Sequence, residues 1–106
     1  MERTRTTSGA TVVLDIGEGS GALVVHTVPA LAGSELEIRR HGRRWNGTHT
    51  AVRPREVNGR VLHAGVFGSL PAGHYDVRVR FAPATTPTTI RVVAGSVTET
   101  DLNHGH

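Results

Sequence analysis

Seven histidines, His26, His41, His49, His63, His74, His104 and His106, are the residues with the most chemistry to offer in this 106-residue chain. A transition-metal site needs two to four such ligands converging on one point with bonds of about 2 Å. Nothing in the spacing forces convergence. His26 follows an apolar run on its polar phase, His41 falls in a loop, His74 sits at a turn exit, and His49 and His63 fall on opposite faces of a strand pair. His104-Gly105-His106 is a two-histidine tail without outer hydrogen-bond partners to orient it, so weak chelation is all it offers. The chain has no cysteine, which excludes disulfides, thiolate zinc sites, iron–sulfur clusters and thiol nucleophiles together. No metal and no other cofactor is expected.

General acid–base chemistry requires a carboxylate or imidazole held beside a nucleophile in a cleft. The acids are spread out instead: Glu35 and Glu37 alternate outward from one strand, Asp76 alternates with Arg78 on another, and Glu99 and Asp101 belong to the C-terminal end. There is no Gly-x-Ser-x-Gly elbow. Gly17-Glu18-Gly19-Ser20-Gly21 lacks the lysine and following helix of a phosphate-binding loop and reads as a tight turn. The chain is not expected to be an enzyme.

One segment has the composition of a binding loop. Arg39-Arg40-His41-Gly42-Arg43-Arg44-Trp45 brings four guanidiniums, an imidazole and an indole into seven residues. Guanidinium forks match phosphate and carboxylate, and an indole stacks on a base or sugar, so Arg39, Arg40, Arg43, Arg44 and Trp45 form the candidate ligand-binding set for a nucleic acid or other polyanion. The opposing reading is a solvated loop, with Trp45 closing the end of the core. All twelve cations are arginine and lysine is absent, so arginine content alone argues for nothing. Its distribution says more: residues 39–60 hold seven arginines against Glu56, a charge of +6, and the rest hold five against eight acids, a charge of −3.

The elements that must position these residues are strands. Apolar residues alternate at Val12, Leu14, Ile16; at Leu23, Val25; at Leu36, Ile38; and at Tyr75, Val77, Val79, Phe81. Turn compositions rich in Gly, Pro and Asn separate these runs at roughly ten-residue intervals, the pattern of a sandwich or barrel. Strands are expected over 11–16, 22–27, 35–40, 48–53, 60–67, 74–81, 88–93 and 97–100. The expected fold is an all-β, seven- or eight-stranded antiparallel sandwich: a single domain over 11–100, flanked by a flexible arm at 1–10 and a flexible tail at 101–106. Its four aromatics, Trp45, Phe67, Tyr75 and Phe81, are expected to anchor the packing.

Asn58-Gly59 is the sharpest local signal, because both residues tolerate positive φ and suit a two-residue hairpin turn. A turn there sets Val57 opposite Arg60, Arg55 opposite Leu62, Arg53 opposite Ala64, Val52 opposite Gly65 and Thr50 opposite Phe67. With Val52, Val61 and Phe67 in the core, Leu62, Ala64 and Val66 emerge on the other face beside His49, Ala51, Arg53 and Arg55. His49, Arg53, Leu62, Ala64 and Val66 are therefore the candidate interface, met by a partner or a second copy, or else covered by a neighbouring loop or the N-terminal tail.

The stretch Ala64-Gly65-Val66-Phe67-Gly68-Ser69-Leu70-Pro71-Ala72-Gly73-His74-Tyr75-Asp76-Val77 resembles the phenylalanine, leucine, proline, glycine, tyrosine signature of prealbumin-like sandwiches, which include transthyretin, carboxypeptidase regulatory-like and Cna-B-type domains. The resemblance implies a fold and no single activity. One enzyme of that fold, the transthyretin-like hydroxyisourate hydrolase, uses a histidine before its first strand and a C-terminal tyrosine-arginine-glycine-serine tail. Neither matches Thr11-Val12-Val13-Leu14-Asp15 or the ending Asn103-His104-Gly105-His106, so that hydrolase activity is not expected. A non-enzymatic interaction module is expected, meeting a protein partner or forming a homo-oligomer, with polyanion binding as the alternative. No run reaches the 18 apolar residues of a membrane span and no signal-peptide core follows Met1, so a cytoplasmic protein without membrane contact is expected.

Overall fold

The structure is a computed structural model that describes residues 19–82 and 86–102. The expected strand at 11–16, the arm at 1–10 and the two C-terminal histidines lie outside the described residues.

Among the described residues eight strands follow one another: β1 (Ser20–Thr27), β2 (Glu35–Arg40), β3 (His49–Ala51), β4 (Arg53–Val57), β5 (Arg60–Pro71), β6 (Gly73–Val79), β7 (Thr88–Val92) and β8 (Val97–Asp101). A single 3-10 turn, Pro29–Leu31, separates β1 from β2. The strands form two four-stranded sheets, sheet A in the order β4-β5-β1-β8 and sheet B in the order β3-β2-β6-β7. Leu23, Val25 and Phe67 of sheet A meet Leu36, Ile38, Tyr75, Val77, Ile90 and Val92 of sheet B in one buried cluster. Each is on the apolar phase of its strand, and burial of such a side chain stabilises the fold by about 1.5–3 kcal/mol.

The hairpin signal is confirmed. Asn58 has φ 53° and Gly59 φ 79°, and the ladder runs Val57↔Arg60, Arg55↔Leu62 and Arg53↔Ala64. Beyond Arg53 the expected register fails, because the single strand expected over 48–53 is two. Its first half, β3, pairs with β2 in sheet B through Leu36↔Thr50 and Glu37↔His49. Its second half, β4, belongs to sheet A. The chain changes sheets at Val52, whose N–H donates to Ser34 O (2.8 Å), whose carbonyl accepts from Gly33 N–H (3.0 Å), and whose side chain is in the core. Pro54 is tolerated in β4 because, among the described residues, no strand pairs with the other side of β4.

Four further expectations are corrected. The sheets are not antiparallel throughout, since β8 runs parallel to β1, Ala22↔Val97 to His26↔Asp101. The last strand also reaches Asp101, and Leu102 seats in the core with its N–H bonded to His26 O, so order continues two residues into the expected tail. Val61 is 60% exposed rather than buried, because the β4–β5 hairpin runs on past Gly65, the position that meets Leu36 and Thr50 of the opposing sheet. Phe81 leaves the alternation as well: the chain turns after β6, Phe81 adopts φ 66°, and its ring is 85% exposed beside the Arg80 guanidinium. Among the described residues no helix is long and apolar enough to cross a membrane.

Phe67→Ala is expected to cost about 3–5 kcal/mol, whereas Val61→Ala should change stability by less than about 0.5 kcal/mol. Urea unfolding of both variants checks the placement, and equal destabilisation would refute it.

Candidate functional site

The outward face of sheet B carries most of the chain's ordered polar chemistry. Strand alternation places Glu35, Glu37 and Arg39 there from β2, His74, Asp76 and Arg78 from β6, and Thr89 and Arg91 from β7. Facing outward did not leave two of these three acids exposed: Glu37 is 6% and Asp76 2% exposed. A carboxylate that far from water must be satisfied by donors.

Asp76 has three donors on different elements. Arg39 Nε reaches Oδ2 at 2.8 Å from the neighbouring strand, and Thr89 Oγ1 reaches Oδ1 at 2.8 Å from the other side. His41 Nδ1 comes down on Oδ1 at 2.9 Å from the loop above. Burial alone would raise the Asp76 pKa. The hydrogen bonds from His41, Thr89 and Arg39, with the charge of the His41 imidazole, outweigh it and hold the carboxyl below its ordinary value. Glu37 is gripped through Oε1 by Arg78 Nε (3.0 Å) and Nη2 (2.9 Å), and Glu35 Oε1 accepts from Arg80 Nη1 at 3.0 Å.

Trp45 lies over this lattice. The Arg78 guanidinium is 3.8 Å and that of Arg39 4.4 Å from its ring centroid. The loop between β2 and β3 is thereby drawn back onto the sheet instead of standing free or closing the core. Asn46 adds a local tie, accepting from the Thr48 N–H (3.1 Å) and Oγ1 (2.8 Å), and Ile38 N–H bonds Thr48 O at 3.0 Å.

The five residues singled out for ligand binding thus have different surroundings. Arg39 is committed to Asp76 and Trp45. Arg40 lies over the Tyr75 ring at 5.4 Å and bonds Ala72 O from Nη1 and Nη2 at 3.4 Å. It occupies the space where a Cβ on Gly73 would be, and Gly73 itself has φ 150°. Arg43 and Arg44 are exposed, with no ion-pair partner among the described residues.

The five candidate interface residues do not share a face. His49 is on sheet B, where its Nδ1–H donates to Gly47 O at 2.7 Å and Nε2 is 3.8 Å from Glu35 Oε2. Arg53, Leu62, Ala64 and Val66 remain together on the outward side of sheet A, but Ala64 is 1% exposed, so it is buried within the single chain and has no area left for a partner. The separation follows from the change of sheet at Val52. On that face Val66 pairs with Val24, and Ala64 sits between Arg53 and His26 across the ladder. His26 Nε2 is 2.7 Å from Glu99 Oε1. Among the described residues no three histidines or acids are grouped to hold a metal ion.

Sequence reasoning missed Asp76, Arg78 and Thr89. The Asp76-Val77-Arg78-Val79-Arg80 alternation placed the charges outward, but their partners come from strands whose adjacency no local spacing reveals. Compared with protein-family models, with curated proteins and with solved structures, the chain matches none.

Asp76→Asn is expected to lower stability at neutral pH by about 1.5–3 kcal/mol, the range for hydrogen bonds to a charged group. Because the folded pKa is depressed, the carboxylate's contribution is present above the unfolded value of about 3.9 and disappears as pH falls through the lower folded value. Thermal midpoints measured from neutral pH into acid should fall more steeply for the wild type than for the variant. Parallel profiles would show that Asp76 carries no such linkage.

Proposed function

We propose that the chain is a non-enzymatic β-sandwich module of prealbumin-like type that works by surface contact, with the outward face of sheet A docking on a second copy of itself. Burial of Phe67, Leu70 and Tyr75 supports the fold assignment, as does the Pro71–Gly73 reversal closed by Tyr75 OH donating to Pro71 O at 2.6 Å. The parallel β1–β8 pair departs from a purely antiparallel sandwich without altering the two-layer arrangement.

One observation carries the docking surface. Across the outward face of sheet A the residues run from basic through apolar to acidic: Arg53 and Arg55 on β4, Leu62 and Val66 on β5, Val24 and His26 on β1, Glu99 and Asp101 on β8. Two-fold symmetry makes such a gradient self-complementary, setting the arginines of one copy over the acids of the other with apolar strips in contact between them. Leu62, Val66 and Val24 are half-buried in the single chain and have further area to bury on association.

Native mass measured over a concentration series tests this reading. The wild type is expected to be dimeric, and Leu62→Ser with Val66→Thr to be a folded monomer. Arg53→Glu with Arg55→Glu should also dissociate the dimer, and adding Glu99→Arg with Asp101→Arg in the same chain should restore it. A wild type that stays monomeric at the highest soluble concentration would end the proposal.

A further inference from the structure

On the other side of the molecule, we infer that one end of sheet B binds the phosphate backbone of duplex nucleic acid, without regard to sequence, through Arg43, Arg44, His74 and Arg91. This goes beyond the self-association reading and uses none of its residues.

The inference starts from which charges remain after the pairings on that face. Glu35 is met by Arg80, Glu37 by Arg78, and Asp76 by Arg39 and His41. Arg43, Arg44, His74 and Arg91 are exposed and have no acidic partner among the described residues. The fold puts them at one end. His41 N–H bonds His74 O at 3.0 Å, which sets the β2–β3 loop beside the start of β6, and His74 is the ladder partner of Arg91 on β7. From loop to β7 the row crosses two strand spacings, about 10 Å. Phosphates on one strand of a duplex advance about 3.4 Å along the axis but also wind around it, which puts neighbours roughly twice that far apart, so the row is matched to two in succession. Guanidinium forks suit phosphate oxygens, and the loop presenting two of them is already ordered by Trp45, by Asn46 and by the turn bond from Arg43 N–H to Arg40 O (2.9 Å).

The same geometry argues against single strands. Binders of single strands rely on free aromatic faces for base stacking; the indole here is engaged by two guanidiniums, and the exposed Phe81 ring follows the opposite end of β6 from His74. The basic run at 39–60 is also not one patch: Arg53, Arg55 and Arg60 belong to the β4–β5 hairpin of sheet A, whereas Arg91, distant in sequence, joins Arg43 and Arg44.

The test is fluorescence anisotropy of a labelled, mixed-sequence DNA duplex titrated with the full chain at several salt concentrations. Binding is expected at low salt. The triple change Arg43→Gln, Arg44→Gln, Arg91→Gln should flatten the slope of log affinity against log salt by about 0.9 for every phosphate that is no longer neutralised. Arg3→Gln, Arg5→Gln, Arg60→Gln removes the same charge from positions outside this set and should leave slope and affinity near wild type. Three results would each overturn the inference: no duplex binding at low salt, equal weakening by the two triple variants, or tighter binding to a single strand or to polyglutamate than to the duplex.

Discussion

A carboxylate withdrawn from water at the centre of a sheet face constrains everything around it. Asp76 draws Arg39 from β2, Thr89 from β7 and His41 from the loop above, so one side chain fixes the relation of three strands and the course of a connection. Leaving such a group unpaired would cost more than any one of its hydrogen bonds contributes. Arg39 is the pivot. Held by Asp76, it offers its guanidinium face to Trp45, and Arg78, held by Glu37, does the same. Each cation–π contact contributes about 0.5–2 kcal/mol, and the two act on one ring already seated on the sheet.

The two outward faces follow from one backbone event. At Val52 the chain leaves sheet B for sheet A, its amide and carbonyl taken by Ser34 and Gly33 and its side chain by the core. Before that point the strand contributes His49 to the polar lattice; after it, the strand contributes Arg53 and Arg55 to the rim of an apolar strip. Sheet B pairs its charges internally and leaves a surplus of cations at one end, while sheet A separates its charges to opposite edges. A face of the first kind suits an external anion, and one of the second kind suits its own copy.

Composition and alternation were enough to read an all-β chain, most strand positions, the Asn58-Gly59 hairpin register as far as Arg53, and burial of Phe67, Leu70, Tyr75 and Val77. These properties are local: a two-residue period and a turn that needs positive φ are written within a few residues of where they act. The acids were also legible as outward, since that too is a matter of phase.

Whether an outward acid is buried, and by what, was decided by tertiary structure alone. Asp76 and Thr89 are 13 residues apart and Asp76 and Arg39 are 37 apart, and no spacing rule spans such gaps. For the same reason the arginine loop read as one binding set, although strand pairing commits Arg39 and Arg40 to the fold and leaves Arg43 and Arg44 outside. The break of 48–53 into two strands was hidden because Val52 has the same apolar phase on either path, and which sheet takes the next residue depends on partners the local sequence does not contain. The parallel seating of β8 on β1 was hidden too, because period two fixes which side of a strand is buried but not the direction of its neighbour.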